Sequence, residues 1–208
     1  MYIHSIWLND IKISKELLEI KNRFKQEYKN RFGSANKKGL YTLDDWSRIA
    51  FCKQFVEGNG GSILDVGVGP GALLNALHQD KHFPRVSGID IRHYTKLVKL
   101  SQDIKVEIMN VAEMTFSDNE FDTVICMEVL EHITHKHFIK ALKHLRRVTA
   151  NCLFMTVPFC EPLPLTSYHK LRFGFNDIKM YFPEGEYYLL VRRQGLPWLV
   201  IVENLQDC

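Results

Sequence analysis

The 208-residue sequence has no apolar run approaching the roughly 20 residues that a membrane-spanning helix needs. Its first residues, MYIHSIWLND, lack the basic flank and apolar stretch of a signal peptide. It also has no internal repeat and no low-complexity tract. These absences argue against a membrane, secreted or repeat protein. We expect a cytoplasmic protein that folds as a single globular domain overall.

The sequence lacks the paired cysteine spacing that is typical of disulfide frameworks and zinc clusters. The five cysteines are odd in number and widely spaced, and no two form a CxxC pair. Neither a disulfide framework nor a cysteine-based zinc cluster is indicated. We predict reduced thiols at Cys52, Cys126, Cys152, Cys160 and Cys208.

The chain carries a small net charge of +3, but the charge is unevenly placed. Residues 12–38 hold nine Lys/Arg and three Glu, so the remainder is slightly acidic. A basic segment of this kind is typical of a solvated helix face, which is the interpretation we favour. Binding to RNA or another anionic partner stays open.

Short apolar runs alternate with helical patterns from residue 62 onward. Five runs read as buried strands: SILDVGV, RVSGIDI, KVEIMN, FDTVICME and NCLFMTVP. Helices are predicted between them, at GALLNALHQ, RHYTKLVKLSQ and THKHFIKALKHLRRV. Near the end, YYLLVRR and WLVIVEN leave no room for a helix between them and predict an antiparallel hairpin at the sheet edge. The pattern predicts an α/β fold with a doubly wound, mostly parallel sheet of seven strands.

The residues before this alternation read differently. One helix is predicted from Ser14 to about residue 30 and another from Thr42 to near Gly58. We therefore expect residues 1–58 to form a helical segment that covers the active site, and residues 59–208 to form the core.

A glycine-rich loop follows the first predicted strand of the core. Gly67, Gly69 and Gly71 allow backbone N–H groups to approach a ligand, at the edge where doubly wound sheets bind nucleotides. Read literally, GVGPGA also fits the dinucleotide fingerprint. However, Asp65 would repel a pyrophosphate, whereas Asp90 stands 23 residues past Gly67, where an acid can bind ribose hydroxyls. A cationic nucleoside without phosphates, such as S-adenosylmethionine, matches this pattern.

Four segments in order resemble the successive motifs of class I S-adenosylmethionine-dependent methyltransferases: ILDVGVGPG, GIDI, EIMNVAEMTFSDNEFD and VICMEVLEHI. The resemblance covers roughly residues 60 to 205. It implies a Rossmann-like fold, methyl transfer (EC 2.1.1) and S-adenosyl-L-methionine as cofactor. It also implies a set of cofactor-binding residues at the ends of four strands: Asp65, Gly67, Gly69, Gly71, Asp90, Ile91, Asn110, Val111, Cys126 and Met127.

By the same resemblance, the glycines back the methionine part of the cofactor, Asp65 holds its ammonium group and Asp90 takes the ribose hydroxyls. Ile91 would lie against the adenine. Asn110 and Val111 stand where the family often has Asp-Ala, and the asparagine keeps an acceptor for the adenine amine.

The last cofactor contacts come from the fourth strand of the core. The resemblance implies that Cys126 and Met127, at its end, border the sulfonium and the methyl group.

The stretch EVLEHI supplies candidates for catalysis. Methyl transfer from a sulfonium mainly requires the nucleophile to be held in line with the methyl group, and a base is needed where the acceptor keeps its proton. We predict that His132, Glu131 and His169 are catalytic. Glu128 joins them in a second interpretation, because metal-dependent small-RNA 2′-O-methyltransferases carry a similar pattern and two carboxylates and two imidazoles can bind a cation. We predict no metal, since many metal-independent relatives share the stretch.

A long loop rich in proline and aromatic residues, residues 159–175, follows the fifth strand of the core. Loops at this edge usually carry specificity. We predict that Tyr168 and Arg172 contact the substrate.

The sequence therefore predicts a methyltransferase that acts on oxygen or nitrogen of a small-molecule acceptor. Three alternatives stay open: an RNA 2′-O- or base methyltransferase, a nicotinamide-dependent oxidoreductase, and a non-catalytic module that binds S-adenosylmethionine. The oligomeric state is not predicted.

Overall fold

The structure is a computed structural model, and it describes residues 2–33 and 42–205. Within these ranges one sheet has the strand order β1-β7-β8-β6-β5-β2-β3-β4. Only β8 runs antiparallel to its neighbours. The strands are β1 (Ile3–Trp7), β2 (Ser62–Val66), β3 (Arg85–Asp90), β4 (Lys105–Ile108), β5 (Phe121–Met127), β6 (Thr149–Pro158), β7 (Glu186–Val191) and β8 (Trp198–Asn204). The predicted doubly wound α/β fold and the C-terminal antiparallel hairpin are confirmed.

Five α-helices are formed in the described ranges: α1 (Lys15–Phe32), α2 (Leu43–Val56), α3 (Ala72–His78), α4 (His135–Val148) and α5 (Phe175–Tyr181). The first two helices begin at the side-chain caps that the sequence predicts. Ser14 accepts a hydrogen bond from the backbone of Leu17, and Thr42 forms a capping box with Asp45. Both caps satisfy amide groups that a helix start would otherwise leave without partners.

The prediction of seven strands was wrong, because the described residues form eight. The additional strand is β1, which pairs in parallel with β7 from Ile3 opposite Tyr187 to Trp7 opposite Val191. It is five residues long and lies at an edge, half exposed. Such a strand shows little hydrophobic pattern, and its partner lies more than 180 residues away in the sequence. The hairpin strand β7, predicted at the sheet edge, is therefore one strand in from it.

The helix predicted at RHYTKLVKLSQ was also wrong, because the chain between β3 and β4 holds no helix. Its backbone is bonded to other parts of the fold. Asn75 of α3 donates to the carbonyl of Val98 (2.8 Å) and accepts from the amide of Leu100 (2.7 Å). The amide of Val98 donates to the carbonyl of Pro70. These long-range bonds replace the local ones of a helix, and no periodicity reveals them.

Apolar side chains fill both faces of the sheet. One cluster includes Trp46 and Phe154 and another includes Phe121 and Phe138. None of the described helices combines the length and hydrophobicity that crossing a bilayer requires. Four of the five cysteines are free thiols, and Cys208 lies outside the described residues.

Candidate functional site

The glycine loop turns sharply at the carboxyl end of β2. The amide of Gly67 donates to the carbonyl of Ile89 (2.8 Å), and the amide of Gly69 donates to Oδ2 of Asp90 (2.9 Å). Gly67 has φ +81°, and a Cβ there would lie 2.3 Å from a methyl carbon of Val129. Only glycine fits this backbone and this space. The loop and Asp90 therefore form one hydrogen-bonded unit.

Asp65 lines a cavity of about 140 Å³ together with Gly67 and Gly69 of this loop. Its side chain is almost fully buried, and burial, with a smaller contribution from the charge of Asp90, raises its pKa to about 7. A cation placed beside Asp65 would stabilise the ionised form. The cavity is lined by Asp45, Arg48, Ile49, Asp65, Gly67, Val68, Gly69, Pro70, Leu73 and Met127.

Arg48 of α2 brings a positive charge to the same cavity, and sequence reasoning missed it. Its Nη2 lies 3.5 Å from Asp45, its Nη1 lies 3.3 Å from Glu128, and its guanidinium carbon sits 4.0 Å from the centre of the Trp198 ring. The side chain is 13% exposed, and its Nε and Nη1 make no hydrogen bond with any described residue. An arginine on a helix gives no signal in the sequence, because its role depends on which cavity the helix covers.

The residues predicted to hold ribose and adenine meet at the ends of β3 and β4. Asp90 pairs with Ile108 in the sheet, and its carbonyl accepts from the amide of Met109 (2.9 Å). Ile91 is 64% exposed beside them. The side chain of Asn110 accepts a hydrogen bond from the amide of Ala112, which occupies part of its capacity as an acceptor.

The remaining predicted cofactor residues differ in position. Val111 is buried next to Asn110. Met127 lines the cavity, whereas Cys126 is fully buried and packs with the core cluster that contains Phe121. The structure therefore brings Met127 to the cavity and leaves the thiol of Cys126 behind the strand.

Two polar residues that follow β5 come together with one from the loop after β6. The ligand atoms of Glu131, His132 and His169 lie within 4.8 Å of one another. Glu128 is not in this group, because its carboxylate accepts from Thr156 and faces Arg48. Glu128 also has φ +54°, a strained backbone of the kind that recurs at functional sites.

Glu131 is the most buried of the three. Its side chain is about 1% exposed, and its Oε2 has no hydrogen-bond partner among the described residues. Burial first, and then the charge of Glu128, hold the pKa of Glu131 well above its usual range. The raised pKa favours the protonated form of this carboxyl group.

The loop after β6 closes over this cluster. The carbonyl of Tyr168 accepts from Nδ1 of His132 (3.1 Å), and the Tyr168 side chain is 62% exposed. Arg172 donates from Nε to the carbonyl of Glu161 (2.7 Å), so part of its guanidinium is used within the loop. Glu161 itself is buried and bonded to His169, a contact that the sequence did not suggest.

Residues 63–151 match the sequence model of a family described as a methyltransferase domain. The ubiquinone biosynthesis O-methyltransferase of Coxiella burnetii is 28% identical over 134 residues, covering 61% of this chain and 54% of the relative. The protein of the same name from Hydrogenovibrio crunogenus is 36% identical over 93 residues, covering 41% of this chain and 38% of that relative. The chain thus spans about half, or less, of the length of these curated relatives.

A solved structure extends the likeness beyond the matched domain. The 1,6-didemethyltoxoflavin-N1-methyltransferase of Burkholderia thailandensis, with bound 1,6-didemethyltoxoflavin and S-adenosylhomocysteine, is 15% identical with a TM-score of 0.63. The alignment covers 94% of this chain and 92% of that one. At this level of identity the two proteins share a fold.

Proposed function

We propose that this chain, whose residues 63–151 match a methyltransferase domain, is a class I S-adenosylmethionine-dependent methyltransferase that transfers a methyl group from S-adenosylmethionine to oxygen or nitrogen of a small-molecule acceptor. One observation carries the proposal. The cavity over the glycine loop is lined by both a carboxylate, Asp65, and a guanidinium, Arg48. This pair suits the ammonium and carboxylate of an amino acid, which is the methionine end of the cofactor.

The neighbouring residues fit the rest of the molecule. Oδ2 of Asp90 already accepts from Gly69, so the carboxylate is oriented while keeping capacity for ribose hydroxyls. The exposed side chain of Ile91 offers an apolar surface for adenine. A pyrophosphate in the cavity would meet Asp65 and Asp45, which argues against a dinucleotide.

The fit also supports a role for the N-terminal segment. Asp45, Arg48 and Ile49 of α2 line the cavity together with the glycine loop. We propose that residues 1–58 cover the active site and complete the cofactor pocket.

The reaction is an in-line displacement. S-Adenosylmethionine supplies a sulfonium whose methyl carbon bonds to the acceptor atom while the C–S electron pair returns to sulfur, leaving S-adenosylhomocysteine. The cluster of polar side chains offers bases that can accept the proton of the acceptor group. Its members are Glu131, His132 and His169. We propose that the neighbouring Tyr168 and Arg172 contact the acceptor.

A second candidate mechanism uses a divalent cation in the same cluster. One carboxylate and two imidazoles within 4.8 Å form a donor set that divalent metals accept, and Oε2 of Glu131 has no described partner. A bound cation would polarise an acceptor hydroxyl. Methyl transfer that is lost on chelation and restored by Mg²⁺ or Mn²⁺ would favour this mechanism, and transfer unchanged by chelation would exclude it.

The test of the proposed function is calorimetry with S-adenosylmethionine, S-adenosylhomocysteine and NAD. The second step is to incubate the protein with methyl-labelled cofactor and a cell extract. The extract is then separated into small-molecule and RNA fractions, and the label in each fraction is measured. We expect both S-adenosyl compounds to bind, NAD not to bind, and label to appear among small molecules. Binding of NAD alone would overturn the family-based proposal, and label confined to RNA would overturn the acceptor class.

A further inference from the structure

A buried carboxylate, Glu161, and a largely buried imidazole, His169, form a pair within the loop after β6. Oε2 of Glu161 accepts a hydrogen bond from Nδ1 of His169 over 2.5 Å. The two side chains are 5% and 11% exposed, respectively. The carbonyl of Glu161 also accepts from Nε of Arg172 (2.7 Å). Glu161 is therefore held by hydrogen bonds to both its backbone carbonyl and its side-chain carboxylate.

The pair lies beside the polar cluster. A ring nitrogen of His169 is within 4.8 Å of ligand atoms of Glu131 and His132, and the two imidazole centres are 5.1 Å apart. Oε2 of Glu131 is buried there without a described hydrogen-bond partner. A buried carboxylate oxygen without a hydrogen-bond partner indicates a position where a ligand atom can bind.

A carboxylate can only accept hydrogen bonds, and a neutral imidazole has one N–H group. The bond to Glu161 therefore fixes that N–H at Nδ1 of His169 and leaves the lone pair at Nε2. We propose that Glu161 is a positioning residue that locks His169 in this tautomer and orientation, so that Nε2 is the nitrogen offered to the acceptor. The role in turnover rests on the proposed function, whereas the tautomer itself does not.

Substitution at Glu161 separates positioning from packing. Glu161→Gln has nearly the same shape, but its amide can donate to Nδ1 as well as accept from it, so the second tautomer becomes populated. Glu161→Asp keeps an acceptor-only group and is the conservative rescue. Glu203→Gln is the matched control, because Glu203 is also a buried carboxylate in an ion pair, with Arg146, in strand β8.

The experiment is nitrogen NMR of the full chain labelled with ¹⁵N-histidine, at a pH of about 9, where imidazoles are neutral. His169→Gln identifies the His169 signals. We expect His169 to carry its proton on Nδ1 in the wild type, in Glu161→Asp and in Glu203→Gln. In Glu161→Gln we expect a substantial population of His169 with the proton on Nε2. The proposal would be overturned if His169 of the wild type carried its proton on Nε2, or if Glu161→Gln left the tautomer of His169 unchanged.

Label transfer into the cell extract provides the second measurement. The rate should fall roughly 10- to 100-fold in Glu161→Gln, recover in part in Glu161→Asp and stay unchanged in Glu203→Gln. Affinity for S-adenosylhomocysteine should be the same in all variants, because Glu161 does not line the cofactor cavity. A wild type that shows the Nδ1–H tautomer but binds no S-adenosylhomocysteine would refute the proposed function and leave the tautomer lock standing.

Discussion

Nη1 of Arg48 lies 3.3 Å from Oε1 of Glu128, which joins helix α2 to the residue that follows strand β5. The same arginine stacks on Trp198, whose ring also carries Arg192 at 4.2 Å. Two arginines thus contact one indole, but of the two only Arg48 lines the cavity over the glycine loop. This difference makes the two arginines a natural pair for comparison.

Replacing Arg48 by Met should weaken binding of S-adenosylhomocysteine roughly 10- to 100-fold, since a hydrogen bond to a charged group contributes about 1.5–3 kcal/mol. Arg48→Lys should retain part of the affinity through its charge. Arg192→Met is the control, because it removes an arginine from the same stack without touching the cavity. Calorimetry would contradict the carboxylate role if Arg48→Met bound as tightly as Arg192→Met.

Asp65→Asn should stabilise the fold and abolish cofactor binding. The pKa of Asp65 is about 7 in the folded state, above its ordinary value, so the folded protein holds a proton that the unfolded chain releases. Stability contributed by this group is complete at acid pH and is lost as the pH rises towards and through 7. The variant should therefore exceed the wild type in free energy of unfolding at pH 8, by about 4 kcal/mol at most, and match it near pH 4.

Ligand binding should depend on pH in the opposite sense. The ammonium group of the ligand requires ionised Asp65, so the affinity of the wild type for S-adenosylhomocysteine should rise up to about pH 7 and then level off. Denaturant unfolding and calorimetry at several pH values measure the two trends. Unchanged affinity in Asp65→Asn would remove the ammonium contact from the proposal.

Asp90→Ala should reduce binding of S-adenosylhomocysteine by more than about tenfold, because it removes both the ribose contact and the bond that holds Gly69. Glu107→Ala, an exposed acid on the adjacent strand β4, should bind normally. Equal affinities in the two variants would show that Asp90 has no part in the pocket. Retention of biological activity by Asp90→Ala would favour a non-catalytic role.

Gly67→Ala should destabilise the protein by about 1–3 kcal/mol and weaken cofactor binding, because its φ of +81° and the 2.3 Å approach to Val129 leave no place for a methyl group. Adding Val129→Ala should relieve the clash but not the backbone strain. Gly58→Ala should be nearly neutral, since a Cβ there meets nothing within 4 Å. Thermal unfolding of the three variants tests this order.

Local pattern was sufficient for much of the fold. The alternation of apolar runs and helical stretches predicted the doubly wound sheet, and Ser14 and Thr42 predicted two helix starts. It failed where long-range bonds decide the outcome, at strand β1 and in the segment held by Asn75. The helix propensity of RHYTKLVKLSQ was outweighed by hydrogen bonds to residues more than 20 positions away.

For the site, the sequence by itself predicted the residues whose place is set by a strand end: Asp65 and the three glycines at the end of β2, and Asp90 at the end of β3. The positions of Asp65 and the glycines follow from covalent continuity, because a strand end, a turn and a helix start come in that order. The parallel pairing of β2 with β3 brings Asp90 to the same edge of the sheet. The tertiary structure alone decided that Arg48 lines the same cavity as Asp65, that Glu161 holds His169, and that Cys126 packs in the core and does not line the cavity. Those contacts join residues that are distant in the chain, and only the packing of helices and loops against the sheet brings their side chains together.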